Sequence, residues 1–276
     1  MIQVTTVAEL KKVRETLEGS VGFAPTMGYL HEGHLSLVKK SKEENDISIA
    51  SIFVNPTQFG PSEDFESYPR DMEKDFKLLE PYTDIIFTPS MKDMYPEGFN
   101  TWVEVKGLTD KLEGASRPTH FRGVTTIVAK LFNIVRPARA YFGQKDAQQL
   151  AVIKKMVKDL DMHLDVIACP TVREPDGLAM SSRNSYLKPD ERKAAVVLHK
   201  SLTLAKKMFE GGERNASVIR REMVDLINRE PLAHCDYVSI ADNETLDEVE
   251  TIHREVLVSL AVQIGKPRLI DNIVLK

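Results

Sequence analysis

The sequence predicts an α/β fold, a Rossmann-like, doubly wound parallel sheet followed by a smaller C-terminal α+β domain. Three observations predict it. Short apolar runs alternate with amphipathic stretches through residue 168, the order that winds a parallel sheet with helices on both faces. The run Ile47-Ser-Ile-Ala-Ser-Ile-Phe-Val54 is nearly continuous in apolar character, as strands covered on both faces are. After about residue 175 the texture changes to long helical segments and then clustered strands. The boundary falls at Asp176-Gly177, giving domains over 1–175 and 176–276.

Taken in order, residues 6–19 read as a helix opening at Thr6, with Glu9 three positions on for a capping box and Gly19 as a stop. Val21–Ala24 is a short buried strand and Pro25-Thr-Met-Gly28 a turn that continues neither neighbour. Leu35, Leu37 and Val38 then stand among Lys39, Lys40, Lys42, Glu43 and Glu44, a helix with one wet face. Asn55-Pro56 ends the second strand sharply. Residues 71–79 suit a helix, Asp84–Pro89 a third strand, Met91–Phe99 turns, Trp102–Val105 a strand and Glu113–Gly123 a loop. Apolar residues at 124, 127, 128, 131, 132 and 135 form a helical stripe that Pro137 closes. Arg139–Phe142 is a strand, Asp146–Leu160 a helix and Leu164–Ala168 a strand. Helices over about 190–209 and 216–229, parted by Gly211-Gly212, precede strands at Tyr237–Ile240, Val256–Leu260 and Leu269-Ile270 with Ile273–Leu275.

With 276 residues, 42% of them hydrophobic and 28% charged, the chain has the make-up of an ordinary globular protein with material for a real core. A net charge of −4 leaves no basic footprint for nucleic acid. Two cysteines, Cys169 and Cys235, provide neither a disulfide framework nor a metal knuckle. The N-terminus lacks the basic head and apolar stretch of a signal peptide, and no apolar run reaches the roughly 18–20 residues of a membrane helix. A cytoplasmic protein is expected.

Open parallel sheets bind ligands beyond the carboxyl ends of their strands. Four segments occupy that place: Pro25–His34, Asn55–Gly60, Gly143–Gln149 and Thr171–Asn184. In the first, His31 and His34 stand three apart where a helix begins, with Gly33 between them, and a helix N-terminus suits a phosphate. A zinc protease would place its two histidines four apart around a Glu, which Glu32 does not satisfy. The amide of Gln58 suits a substrate bearing hydroxyl and carboxylate groups, although a solvated turn explains it equally. Lys145 at a strand-to-helix junction reaches a phosphate while Gly143 permits close approach; Asp146 suits a helix cap. Met180-Ser181-Ser182-Arg183 sets two hydroxyls and a guanidinium in a row, able to wrap phosphate oxygens or simply to serve as a polar linker.

The strand–turn–His-x-Gly-His–helix context resembles the nucleotidyltransferase superfamily, whose paired histidines contact the phosphates of ATP. The blocks Pro25–His34, Phe53–Phe59, Tyr68-Pro-Arg70, Leu112–Val124, Phe142–Gln149, Asp176–Asn184 and Arg268–Asn272, in this order, resemble the pantothenate synthetase family over nearly the whole chain. Two small departures, Gln144 where the family usually has Glu or Lys and Ala147 where it has an aromatic residue, touch the edge of the ATP loop.

The resemblance implies ATP-dependent joining of pantoate to β-alanine through pantoyl adenylate, with release of AMP and pyrophosphate. A carboxylate must then approach an anionic phosphorus, so charge has to be neutralised around the triphosphate. The resemblance assigns that work to His31, His34, Lys145, Ser181, Ser182 and Arg183, with Mg²⁺ bridging phosphates. A histidine held against phosphates is expected to carry a proton, which makes His34 the proton donor to pyrophosphate, with His31 and Lys145 completing the catalytic set. Gln58 and Gln149 are implied to hold pantoate. The backbone of Met27, Gly28, Tyr29, Leu30, His31, Glu32, Gly33 and His34, that of Gly143, Gln144, Lys145 and Asp146, and Val172 are implied to cradle ATP beneath a closing Met180–Arg183 loop. No role follows for His120 or Arg122. The family is usually a homodimer. An adenylyltransferase that leaves AMP on its product, a fragment of an aminoacyl-tRNA synthetase and a non-catalytic nucleotide sensor are the alternatives; the first would not explain the Asn55–Phe59 and Gln148-Gln149 blocks.

Overall fold

The structure is a computed structural model that describes residues 1–61 and 63–276. Its chain divides into two units, the first made of residues 1–143 and 149–170 and the second of residues 144–148 and 171–276. The first carries β1 (Ile2–Val4), α1 (Val7–Thr16), β2 (Val21–Thr26), α2 (Glu32–Glu44), β3 (Ile47–Ile52), α3 (Met72–Leu79), β4 (Ile85–Phe87), α4 (Met91–Met94), α5 (Leu112–Ser116), α6 (His120–Val135), β5 (Arg139–Gly143), most of α7 (Ala147–Asp159) and β6 (Asp165–Cys169). All six strands run parallel, in the order β1-β4-β3-β2-β5-β6. The carboxyl ends of β2, β3 and β5 therefore share one rim.

Burial explains the strands. Phe23 and Ala24 point to opposite faces of β2 and both are wholly buried, as a sheet covered on two sides demands. Ala24, Leu35, Val38, Ala50 and Ile86 join one apolar cluster under α2, and each large side chain so buried stabilises by about 1.5–3 kcal/mol. Thr6 caps α1 by accepting the Glu9 amide at 3.2 Å, and Glu9 accepts the Thr5 amide at 3.1 Å. Arg14 ties α1 to the end of α6 by donating to the Val135 carbonyl at 2.9 Å.

Two expectations for this unit fail on backbone hydrogen bonding. Trp102–Val105 pairs with no strand among the described residues. The Val103 backbone is satisfied instead by side chains of α6: its amide donates to Thr126 at 3.0 Å and its carbonyl accepts from Thr125 at 2.6 Å. The segment before Gly123 is likewise no loop at its end, because α6 starts at His120 and takes His120 and Arg122 into its first turn. Strand β1 leaves no signal in the sequence, because three residues with Ile2 exposed make no apolar run.

The second unit holds α8 (Pro189–Ala194), α9 (Val197–Glu210), α10 (Ala216–Asn228), β7 (Ala233–Asp242), β8 (Val256–Ile264) and β9 (Arg268–Leu275). The strands form an antiparallel meander, β7-β8-β9. Leu198 and Leu202 of α9, Ile219 and Met223 of α10, and Val258 and Leu260 of β8 share its core. The single helix expected over 190–209 is two, since the chain tightens at Ala195-Val196, where the Leu198 amide reaches back only to Ala195, at 3.2 Å. The division falls after Pro170 rather than at 175/176. Residues 172–180 close a hairpin of their own, with Met180 amide to Val172 carbonyl at 3.0 Å and Glu174 amide to Leu178 carbonyl at 2.8 Å. Arg173 then anchors that hairpin on Asp271 of β9 through two bonds of 2.6 and 3.0 Å. No helix among the described residues is long and apolar enough to cross a membrane.

Candidate active site

The turn after β2 is built from two successive left-handed residues, Gly28 at φ +82° and Tyr29 at φ +51°. Gly28 has no room for a side chain: a Cβ there would lie 2.9 Å from Asp75 Oδ2 and 3.0 Å from Ile52 Cγ2. The turn delivers His31 to the N-cap of α2 and His34 to its third position. Each ring accepts a backbone amide. His31 Nδ1 takes Gly33 N–H at 3.1 Å, and His34 Nδ1 takes His31 N–H at a longer 3.4 Å. The ring centres lie 4.0 Å apart. An Nδ1 that accepts cannot carry hydrogen, so both rings are the neutral tautomer with the proton on Nε2.

Proton transfer from His34 to pyrophosphate, as expected from the sequence, would require the ring to give up that cap bond while it is protonated at both nitrogens. The Leu30 side chain is core, and the Glu32 carboxylate pairs with Lys39 Nζ at 3.0 Å.

Beyond β3, Pro56–Gln58 forms a 3₁₀ turn. Its hub is Asn55, 1% exposed, whose Oδ1 accepts the Tyr95 hydroxyl at 2.8 Å and the Thr57 hydroxyl at 3.0 Å. The Asn55 amide donates to Gln58 Oε1 at 3.1 Å and to the Gly123 carbonyl at 3.2 Å. Gln58 in turn donates to Met27 Sδ at 3.0 Å, so its amide orientation is fixed by two neighbours. Burial holds the Tyr95 phenol above its usual range, keeping its hydrogen for Asn55.

His120 completes this cluster. Its Nδ1 donates to the Gln58 carbonyl at 2.9 Å and its Nε2 accepts from Arg117 at 3.3 Å, the opposite tautomer from the first pair. Burial and then the Arg117 charge push its pKa down to about 4. Arg117 is held by Glu63 through two bonds of 2.6 Å. A cleft of about 270 Å³ opens at the same rim, lined by Met27, Gly28, Phe53, Arg70, Met72 and Thr88 among others. Gly143 ends β5 beside β6, paired with Cys169, and Gln149 lies half-buried in the first turn of α7.

In the second unit, Gln144–Asp146 is a 3₁₀ turn held by Asn272 of β9. Asn272, 4% exposed, donates to the carbonyls of Gln144 at 2.9 Å and Lys145 at 2.8 Å and accepts from the Gln144 amide at 3.3 Å. Lys145 Nζ lies 3.4 Å from Asp146 Oδ1. Val172 belongs to the hairpin described above, which runs directly into Met180. Ser181 caps a 3₁₀ helix over Ser182–Tyr186, accepting the Arg183 amide at 3.3 Å, so this segment is less a loop than a helix start. Ser182 and Gln148 are both buried.

The structure thus joins His31 with His34, Gln58 with Met27, and Gln144 and Lys145 with Asn272. Sequence reasoning missed Asn55, Asp75, Arg117 and His120 in the first unit and Asp271 and Asn272 in the second. The only signal for most of them was membership of the resemblance blocks. Among the described residues no group of three or more His, Cys, Asp or Glu side chains is arranged to hold a metal.

Residues 2–274 match the model of the pantoate-beta-alanine ligase family. Pantothenate synthetase from Acetivibrio thermocellus is 57% identical over 99% of both chains, and that from Thermotoga neapolitana 56% identical over 99% of both. The crystal structure of pantothenate synthetase from Thermus thermophilus superposes with a TM-score of 0.95 at 48% identity, covering 99% of each chain. Pantoate-beta-alanine ligase from Francisella tularensis, complexed with beta-gamma ATP and beta-alanine, gives 0.82 at 37% identity over 99% of this chain and 97% of that one.

Proposed function

The chain belongs to the pantoate–β-alanine ligase family, and from that premise we infer that it joins pantoate to β-alanine using ATP. The pantoate carboxylate attacks the α-phosphorus and pyrophosphate leaves; the amine of β-alanine then attacks the adenylate carbonyl and AMP leaves, giving pantothenate. The observation that carries this reading is the pair of imidazoles seated at the N-terminus of α2, beyond the carboxyl end of a parallel strand. Backbone N–H groups, the helix dipole and two Nε2–H donors together suit a polyphosphate.

Each residue then has a role that follows from its surroundings. His31 and His34 hydrogen-bond phosphate oxygens, His34 from Nε2 to the departing pyrophosphate. Lys145 supplies a positive charge from a main chain that Asn272 clamps. Ser181, Ser182 and Arg183 hold further phosphate oxygens, and Val172, Met180 and the backbones of Met27–His34 and Gly143–Asp146 cradle the rest of ATP. Gln58 binds pantoate with an amide oriented by Asn55 and Met27, and Gln149 binds it from α7.

Mg²⁺ is proposed to enter on the nucleotide's own oxygens, since the described residues assemble no three-ligand group for it. There it would neutralise phosphate charge. We also propose a cytoplasmic homodimer. The dimer rests on the family's usual state, and Trp102–Val105 provides no strand edge for it, since the Val103 backbone is already bonded to Thr125 and Thr126. Sedimentation of the purified protein tests the dimer.

The function is tested by pyrophosphate release with ATP and pantoate, with and without β-alanine. Pyrophosphate that requires pantoate, and AMP that requires β-alanine, are the expected results. Binding of ATP with no pantoate-dependent pyrophosphate would leave a nucleotide sensor instead.

A further inference from the structure

Asp75 is a buried carboxylate that the chemistry above does not use. It lies on α3, 1% exposed, and spends both oxygens on the turn after β2: Oδ2 accepts Tyr29 N–H at 2.8 Å and Oδ1 accepts Leu30 N–H at 2.7 Å. These are the two amides immediately before the N-cap histidine. They belong to a turn in which Tyr29, left-handed and not glycine, is uphill without a partner. A negative group behind a polyanion site works against binding, so its position calls for a geometric reason.

We propose that Asp75 is a positioning residue that holds the Gly28–Leu30 turn and thereby sets the His31 and His34 rings in register with the bound triphosphate. The proposal rests on the reading of those two histidines as phosphate contacts. The carboxylate fixes two successive peptide planes, and the third, that of His31, donates to His34 Nδ1. Releasing the first two lets the His31 peptide rotate, and the cap that defines the His34 tautomer goes with it. Burial raises the Asp75 carboxyl above its ordinary range while the two amides pull it back. The geometry leaves no slack, because Asp75 Oδ2 also stands 2.9 Å from where a Gly28 Cβ would be.

Asp75→Asn is the informative variant. It is nearly isosteric but offers one acceptor and one donor, so one of the two amides faces an N–H. We expect kcat for pantoate-dependent pyrophosphate release to fall 10- to 100-fold with the KM for pantoate changed less than threefold. In histidine labelled with ¹⁵N, the His31 and His34 signals should move from the Nε2–H pattern toward tautomer averaging. Loss of kcat without any change at those imidazoles would overturn the proposal, as would parental kcat. Should the variant not fold, amide exchange in the parent decides: Tyr29 and Leu30 amides must be protected like core amides, and open-turn exchange rates refute the tether. If the parent shows no pantoate-dependent pyrophosphate release, the functional reading fails. The exchange and tautomer measurements still report on the tether.

Discussion

Gly123→Ala sets two ordinary effects against each other. Helix propensity alone favours the variant by about 1 kcal/mol, since Gly123 sits in the first turns of α6. Packing opposes it. A Cβ at 123 would lie 2.3 Å from the Thr57 carbonyl oxygen, 2.5 Å from its carbon and 2.6 Å from Gln58 N, all backbone atoms that cannot swing aside. Restoring ordinary contact requires the helix and the Pro56–Gln58 turn to part by about 1 Å, an overpacking strain of about 1–3 kcal/mol. Parting them also stretches the 3.2 Å bond from the Asn55 amide to the Gly123 carbonyl beyond hydrogen-bonding range. A buried amide left unsatisfied costs about 1–3 kcal/mol more. Packing therefore wins, and a net destabilisation on the order of 3 kcal/mol is expected. The functional effect is sharper if Gln58 holds pantoate as proposed, because a positioning group displaced by about 1 Å loses up to about 10²-fold in rate. Thermal unfolding and steady-state kinetics measure both, with the loss expected on kcat/KM for pantoate and little change in the KM for ATP. A variant as stable as the parent, with parental kcat/KM for pantoate, would refute the close approach and the role given to Gln58.

The remaining predictions concern charge and orientation. His34→Ala is expected to lower kcat by about 10²–10³, as loss of one preorganised donor does; kinetics within a few-fold of the parent would reject its role. His120, with a folded pKa near 4 against an ordinary 6.5, takes its proton first in the unfolded chain. Its contribution is thus intact above about pH 6.5 and lost as pH falls toward 4, by about 3 kcal/mol. Urea unfolding of the parent and of His120→Asn at pH 7 and pH 5 should show that slope in the parent only. Asn272→Ala leaves the Gln144 and Lys145 carbonyls without their donor; stability should drop by about 1–3 kcal/mol, and the KM for ATP should rise while that for pantoate holds.

The fold was legible where burial writes a period into the chain. Strands β2, β3 and β5 are covered on both faces, and helices α1, α2 and α6 carry one apolar stripe each, so alternation gave their order within a few residues. Illegible elements were those whose hydrogen bonds are settled from elsewhere. Trp102–Val105 has the composition of a strand, yet Thr125 and Thr126 claim the Val103 backbone. His120 and Arg122 look like loop residues until the close approach of Gly123 to the Thr57 backbone seats the start of α6 on the 3₁₀ turn after β3.

The site divides the same way, between residues that bear the chemistry and residues that aim them. His31, His34, Gln58 and Lys145 stand out in the sequence as candidates because an imidazole, an amide or an ammonium after a strand suggests a reaction class in itself. Their supports lie far off in sequence: Asp75 is 45 residues from Leu30, His120 is 62 from Gln58, and Asn272 is 127 from Lys145. None of these supports advertises itself. An Asp in a helix, a His before an apolar stripe and an Asn in an edge strand all have ordinary explanations. What marks them is that each is buried or half-buried and aims its polar atoms at backbone next to a residue that carries a function. Burying a polar group is unfavourable unless it is satisfied, and here the bonds that satisfy it run to the turn before α2, the 3₁₀ turn after β3 and the turn before α7. In the proposed roles, placing those bonds on main chain rather than on the side chains would leave His31, Gln58 and Lys145 able to exchange partners with substrate while the peptide beneath them stays put.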